Sequence, residues 1–363
     1  MKFLTLLLFV SIACFSQQSD SLLYQQLSIS NDTERVSQLY KSGFDLRNKN
    51  PELALQFANA CEKEAKKSNS KKHIAKSYNL LGILFYKKGN YINALQYQKK
   101  SQNLNKEVKN DYGIALNLTN LGNIYCDLNS LDHAEQCYLQ ALQIYNKQNN
   151  TLQTARCLIN IGVLKYEQKQ PDAALHQFKE ALTYAKELKD YDLMASCDNN
   201  IGTILEEKNQ LDSALVYLEK ALKLRDLIDN EIEMADIYNN LAKVFIKQKN
   251  FEHAGSCIVI TDSICRKYEY LETQVELYDT RSLLYEAQGD FKQALFWTKK
   301  QYQLKDSLQK IEKADLNIDL LNEQQTKKPS AVTDTVNTKM MWMWILLLVM
   351  IIFITLFLMR YKR

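Results

Sequence analysis

One repeat length governs this chain. Read from Tyr78, Leu118, Leu158, Asp198, Tyr238 and Tyr278, the sequence returns to one pattern every forty residues. A glycine recurs at Gly82, Gly122, Gly162 and Gly202, continued by Ala242 and Ser282. Ala94, Ala134, Ala174, Ala214, Ala254 and Ala294 form a second register, and counting back forty from Ala94 reaches Ala54. Seven units therefore run from about Asp32 to Lys310. Units of this size cannot bury their apolar faces alone and must stack on one another. The chain has only nine glycines and three prolines, so the stacked elements are expected to be helices. The stretches KKGNY, LNSLD, KQPDA, KNQLD and QGDF punctuate each unit into a helix A and a helix B.

The pattern resembles the tetratricopeptide repeat. In the unit from Leu118 the matching residues are Leu121-Gly122, Tyr125, Ala134, Tyr138 and Ala141. In the next they are Ile161-Gly162, Ala174, Phe178 and Ala181, with Lys165 at the aromatic position. The last two units lose the Gly and the second Ala. The resemblance implies an all-α solenoid, a right-handed superhelix of helix-turn-helix units with a groove lined by the A helices. The family's usual repeat is shorter by six residues, which lengthens the helices here by up to roughly 9 Å per unit.

On the resemblance, the groove positions flank the Leu-Gly pair: Asn79, Asn120, Asn123, Asn160, Asn199, Asn200, Asn239 and Asn240. Asparagine is a mediocre helix-interior residue, because its amide competes with the backbone. Its recurrence at 120, 160, 200 and 240 therefore points to a shared role. A ladder of amides carries donors and acceptors enough to hold an extended peptide backbone. The same amides could equally bridge adjacent A helices. Tyr86 and Tyr166 share another groove register and either anchor a ligand or pack on the next unit. The family's Lys/Asn/Arg carboxylate clamp has no counterpart here.

Nothing in the sequence is built for catalysis. There is no phosphate loop, GxSxG or HExxH, and no Cys/His spacing suited to zinc. His133 and His253 fall in the first turn of B helices. No cofactor is implied. The net charge of +4 is interspersed, without a basic block for nucleic acid. Cys157 and Cys197 lie one repeat apart, too far to bridge, and the cysteines read as small core residues.

The ends suggest a membrane setting. Lys2 and the apolar run Phe3–Ala13 form a signal peptide of residues 1–16, with cleavage after Ser16. A lipidated Cys14 is the alternative. Residues 17–31 make an N-terminal cap segment before the array of 32–310. A helical stalk and polar linker fill 311–339, with a homodimer through the stalk as a further expectation. Residues 340–359 are apolar and uncharged, long enough for a transmembrane helix, with Trp342 and Trp344 at one end. The tail 360–363 would be cytoplasmic and the repeats exported, to a bacterial periplasm. This order resembles the sensor half of membrane-bound bacterial tetratricopeptide regulators, the histidine kinases and helix-turn-helix proteins, without their output domain. The expected function is a membrane-anchored, non-enzymatic scaffold that binds a protein or peptide. The alternative is a sensor subunit acting through a separate output protein.

Overall fold

A computed structural model describes residues 25–326, Lys49 and Asp229 excepted, with side chains through Leu308. The expected signal peptide and transmembrane segment lie outside the described residues. Among those described, no helix is long and apolar enough to cross a membrane. The described chain is helical throughout. The first unit is α1 (Asp32–Leu46) and α2 (Pro51–Lys67), and the second α3 (Lys71–Lys87) and α4 (Tyr91–Glu107). Then come α5 (Asp111–Asp127), α6 (Leu131–Lys147), α7 (Thr151–Glu167) and α8 (Pro171–Leu188). They are followed by α9 (Tyr191–Glu207), α10 (Leu211–Leu227), α11 (Glu231–Lys247) and α12 (Phe251–Tyr268). The last pair is α13 (Leu271–Ala287) and α14 (Phe291–Thr326). The contact pattern divides the chain at Ile311, within α14.

From α2 onward a helix begins every twenty residues, so each forty-residue unit is two equal strokes. The punctuation is chemical. Two residues before the starts from α3 on, Asp229 excepted, the backbone turns left-handed, mostly at Asn, Lys or Gly: Asn69, Gly89, Lys109, Asn129, Asn149 and Lys169 are examples in sequence order. The next residue caps the helix. Asn50, Asn90, Asn110, Asn150 and Asn250 each accept a bond from the backbone N–H three residues on. Such a bond satisfies one of the free N–H groups that open a helix. Pro51 and Pro171 open α2 and α8, where a missing N–H costs nothing.

The glycine register is where paired helices close. A Cβ on Gly162 would fall 2.6 Å from the Phe178 ring, and one on Gly122 would fall 2.4 Å from Tyr138. Phe178 and Tyr138 are buried there, beside the fully buried Ala174 and Ala134. Each A helix touches the A helix of the next unit, whereas successive B helices make no comparable contact. Helices that converge on one side and spread on the other curve the array, so the A face is concave.

Candidate functional site

Three clefts run along this A-helix face. One of about 600 Å³ lies among α1, α3 and α5, with Tyr40, Lys76, Asn79 and Tyr112 on its walls. A second, of about 520 Å³, extends from Tyr40 through Asn120, Arg156 and Asn160 to Ser196 on α9. A third, of about 540 Å³, is bounded by Tyr166, Glu206, Lys243, Asp279 and Glu286.

The asparagines of the Leu-Gly flank lie on or beside this face, and most of them bond one another. Asn120 donates to Asn79 Oδ1 at 2.9 Å, Asn160 to Asn123 Oδ1 at 3.4 Å, and Asn240 to Asn199 Oδ1 at 3.0 Å. Asn240 also donates to Thr203 at 3.1 Å. These amides bridge neighbouring A helices. One bridge leaves capacity on each amide, and Asn120, Asn123, Asn160, Asn199 and Asn200 stay half-buried. Asn239 differs. It is fully buried, and neither of its amide atoms has a partner, so it offers nothing to the groove.

The two tyrosines also reach the next unit. The Tyr86 hydroxyl bonds Asp127, and burial together with that carboxylate pushes its pKa up. The Tyr166 hydroxyl donates to Glu207. Lys247 pairs with Glu206 at 2.8 Å. In Asn79–Asn120, Tyr86–Asp127, Tyr166–Glu207, Asn199–Asn240 and Glu206–Lys247 the partners stand one repeat plus one residue apart. That offset follows from the stagger of stacked units and has no signature in a single repeat.

One layer of the core is polar, and the sequence reading missed it. Gln98, Ser101, Asn105 and Asn117 occupy positions that are Phe178, Ala181, Ala185 and Cys197 two units later. All four are buried. Asn117 donates to Gln98 Oε1 at 2.7 Å and accepts from Asn105 Nδ2 at 2.8 Å. Gln98 donates to the Asn79 backbone carbonyl, and Ser101 donates to that of Ala75. Asn110 closes the chain onto Asn105 Oδ1 at 2.8 Å. Asn79, Asn105 and Asn110 then line the 600 Å³ cleft, so the polar layer floors that end of the groove. Its signal was present in the sequence as a lapse of the apolar register in one unit.

Titratable groups off the groove behave as core. Burial pushes the thiols of Cys61, Cys157 and Cys197 up to about 12, and those of Cys257 and Cys265 up to about 11. Thiols held this far above neutrality are poor nucleophiles. Burial likewise raises Asp198 to about 6 from an ordinary 3.8, with Lys220 and Lys186 opposing it. The folded state thus binds this proton more tightly than the unfolded chain. Asp198 costs stability above pH 6, and the cost disappears as pH falls towards 4. Asp198→Asn is therefore expected to raise the unfolding free energy at pH 8 by about 1–3 kcal/mol. Urea titrations across pH should show the two proteins converging near pH 4; a gap independent of pH would contradict the assignment.

Comparison with known proteins agrees with the geometry. Residues 111–187 match one tetratricopeptide repeat family model, and residues 75–108 and 199–226 match another. No curated protein matches. Among solved structures, the apo form of RapI aligns with a TM-score of 0.63 at 14% identity, covering 76% of this chain and 99% of that one. A Rap protein complexed with Competence and Sporulation Factor aligns at 0.65 and 14% identity, covering 80% of each chain. A signal-transduction ATPase with a tetratricopeptide repeat sensor, from Pyrococcus horikoshii, aligns at 0.59 and 15% identity, covering 81% of this chain and 46% of that one. At these identities the likeness is one of fold. The chain matches tetratricopeptide repeat models between residues 75 and 226, and its described helices form an all-α, tetratricopeptide-like solenoid.

Proposed function

We propose that this protein is a non-enzymatic interaction scaffold whose A-helix groove binds a peptide or an extended segment of a partner protein. The observation that carries the reading is the 520 Å³ cleft, which crosses five A helices and is lined by half-buried amides with bonding capacity to spare. Two proteins of similar fold are complexed with peptides: the Rap protein above, and a conjugation regulator of plasmid pLS20 bound to the Phr* peptide. Aspartyl phosphate phosphatase F from Bacillus subtilis shares the fold, but no catalytic constellation emerges from the residues of this groove. The sensor reading is favoured by the ATPase whose tetratricopeptide repeats are its sensor. In that case the same groove would take the ligand and a separate protein would supply the output. On sequence grounds we place the array outside the cytoplasm, anchored by residues 340–359. A cytoplasm-only reporter should then work after Arg363 and fail when inserted near Asn150.

The groove is tested by photo-crosslinking from position 153, on the wall of the 520 Å³ cleft, in intact cells. A captured partner is expected, and its capture should weaken in Asn160→Ala and in Asn200→Ala, by about 0.5–1.5 kcal/mol each. Alanine is the better helix former, so neither change should lower the melting temperature much. Lower stability with undiminished capture would reduce the amides to bridges between helices.

A further inference from the structure

Two groove rows carry a charge gradient along the array. From the second unit on, the first row reads Lys72, Tyr112, Leu152, Asp192, Ile232, Glu272. Its neighbour one turn along reads Lys76, Leu116, Arg156, Ser196, Asp236, Glu276. Among the first three A helices of this set, α3 and α7 contribute cations to these rows, α5 is uncharged and none contributes a carboxylate; each of the last three contributes a carboxylate and no cation. Asp32, the first-row residue of α1, is already paired with Arg35, and Asp192 with Arg225.

The clefts show the same division. Lys72, Lys76 and Arg156 line the two N-terminal clefts, which have no carboxylate on their walls. All three are exposed, and none has an ion-pair partner among the described residues. Lys76 lies over the Tyr40 ring at 4.3 Å, and Tyr112 stands beside it, 40% exposed. The third cleft holds Glu206, Glu207, Asp279 and Glu286 against Lys243 and Lys247, and Lys247 is taken up by Glu206. On α11, Asp236 accepts from the Tyr270 and Thr273 hydroxyls, which hold its pKa down, while burial and then the charge of Glu276 raise it to about 6. Glu276 thus acts on Asp236 across the repeat, as carboxylates on one face would. The row nearest the helix C-termini is mixed in sign, with Lys87, Asp127 and Glu167, and Asp127 is engaged by Tyr86.

We propose that the groove selects a charge-segregated peptide, with acidic residues seated over α3 and α7, on either side of the uncharged α5, and basic residues over α9, α11 and α13. This rests on the peptide-groove reading above and adds the ligand's class and polarity. Opposite potentials at the two ends fix the direction of binding, because the reversed placement sets like charges together. The aromatic and apolar floor between the cations, Tyr40, Tyr112 and Leu116, suits an apolar residue within the acidic block.

The test uses the full chain and fluorescein-labelled peptides. One is Glu-Glu-Leu-Glu-Glu-Gly-Ser-Gly-Lys-Lys-Leu-Lys-Lys, with its block-reversed counterpart, and a third has the same composition with the charges alternating. Exposed pairs contribute little singly, but several together should make the better segregated peptide bind about ten-fold tighter than the alternating one in low salt. The advantage should shrink as salt is added. A photo-crosslinker in the acidic block should mark α3, α5 or α7. Lys72→Glu, Lys76→Glu and Arg156→Glu combined should abolish the advantage, with circular dichroism confirming the fold. Equal binding of segregated and alternating peptides, or an advantage that survives the triple variant, overturns the inference. So does a failure of every peptide to bind. In each case capture from position 153 in cells decides separately whether the groove reading stands.

Discussion

Phe178→Ala should destabilise the array by about 3–5 kcal/mol, measured by urea unfolding of the purified protein. Phe178 is among the largest fully enclosed side chains, 2% exposed. Its ring covers the bare backbone of Gly162, belongs to the main core cluster and sits where α7 and α8 close. Removing it leaves a cavity that the backbone cannot fill, because α7 is held at both ends by its capping turns. The reciprocal change is Gly162→Leu, which places a side chain where the ring now lies and should cost about 1–3 kcal/mol by overpacking. Combining the two gives a volume-conserving swap, and the double variant should recover part of the loss. A strictly additive loss would mean that ring and glycine do not share one site.

Asn117→Ala should cost about 1–4 kcal/mol, an effect out of proportion to the size of the side chain. The change strands Gln98 Oε1 in a buried layer, at about 1–3 kcal/mol, and leaves Asn105 Nδ2 only its longer bond of 3.4 Å to Ser101 Oγ. Ser101 keeps the Ala75 carbonyl, and Asn79 keeps Asn120, so those two do not add to the loss. A control separates polarity from packing. Gln98→Phe, Ser101→Ala, Asn105→Ala and Asn117→Cys together copy the residues found two units later. A fully apolar layer is often as stable as a fully bonded polar one, and a half-bonded layer is worse than either. The quadruple variant should therefore melt near or above the parent, although it contains a change at the very position that is damaging alone. If it melts as low as Asn117→Ala, the layer is held by its shape and not by its hydrogen bonds.

The units, their division into two helices and the close glycine–aromatic contact were legible in the sequence. Each depends on residue size at a fixed spacing, and size is printed in the residue type. The helix-capping cadence was equally printed, in Asn50, Asn90, Asn110, Asn150 and Asn250. It follows a twenty-residue period nested within the forty-residue one. The bridges between repeats were not legible. Whether Asn120 meets Asn79 or a ligand depends on the stagger of stacked helices, which no single repeat encodes. Asn239 shows the same limit. It stands next to the ladder register, yet one step around the helix carries it wholly inside. The charge gradient is visible only when the units are aligned row by row, since the overall composition averages it away.

The equal strokes of this array also bear on how such a chain changes over generations. Every helix from α2 to α13 begins at the same phase, and the turns described before them are of the same left-handed kind. A duplication or deletion of one forty-residue unit therefore joins a native exit turn to a native entry cap, wherever in the array it falls. Each seam is a nearest-neighbour affair, so such an event disturbs one interface and spares the others. The A-helix face, by contrast, does not have interchangeable units. In the two rows Lys72, Lys76 and Arg156 lie towards one end and Asp192, Asp236, Glu272 and Glu276 towards the other, so adding a repeat in the middle would move the two poles apart without altering either. The backbone of this protein is open to growth by whole repeats, and the spacing of its charges would record how many had been gained.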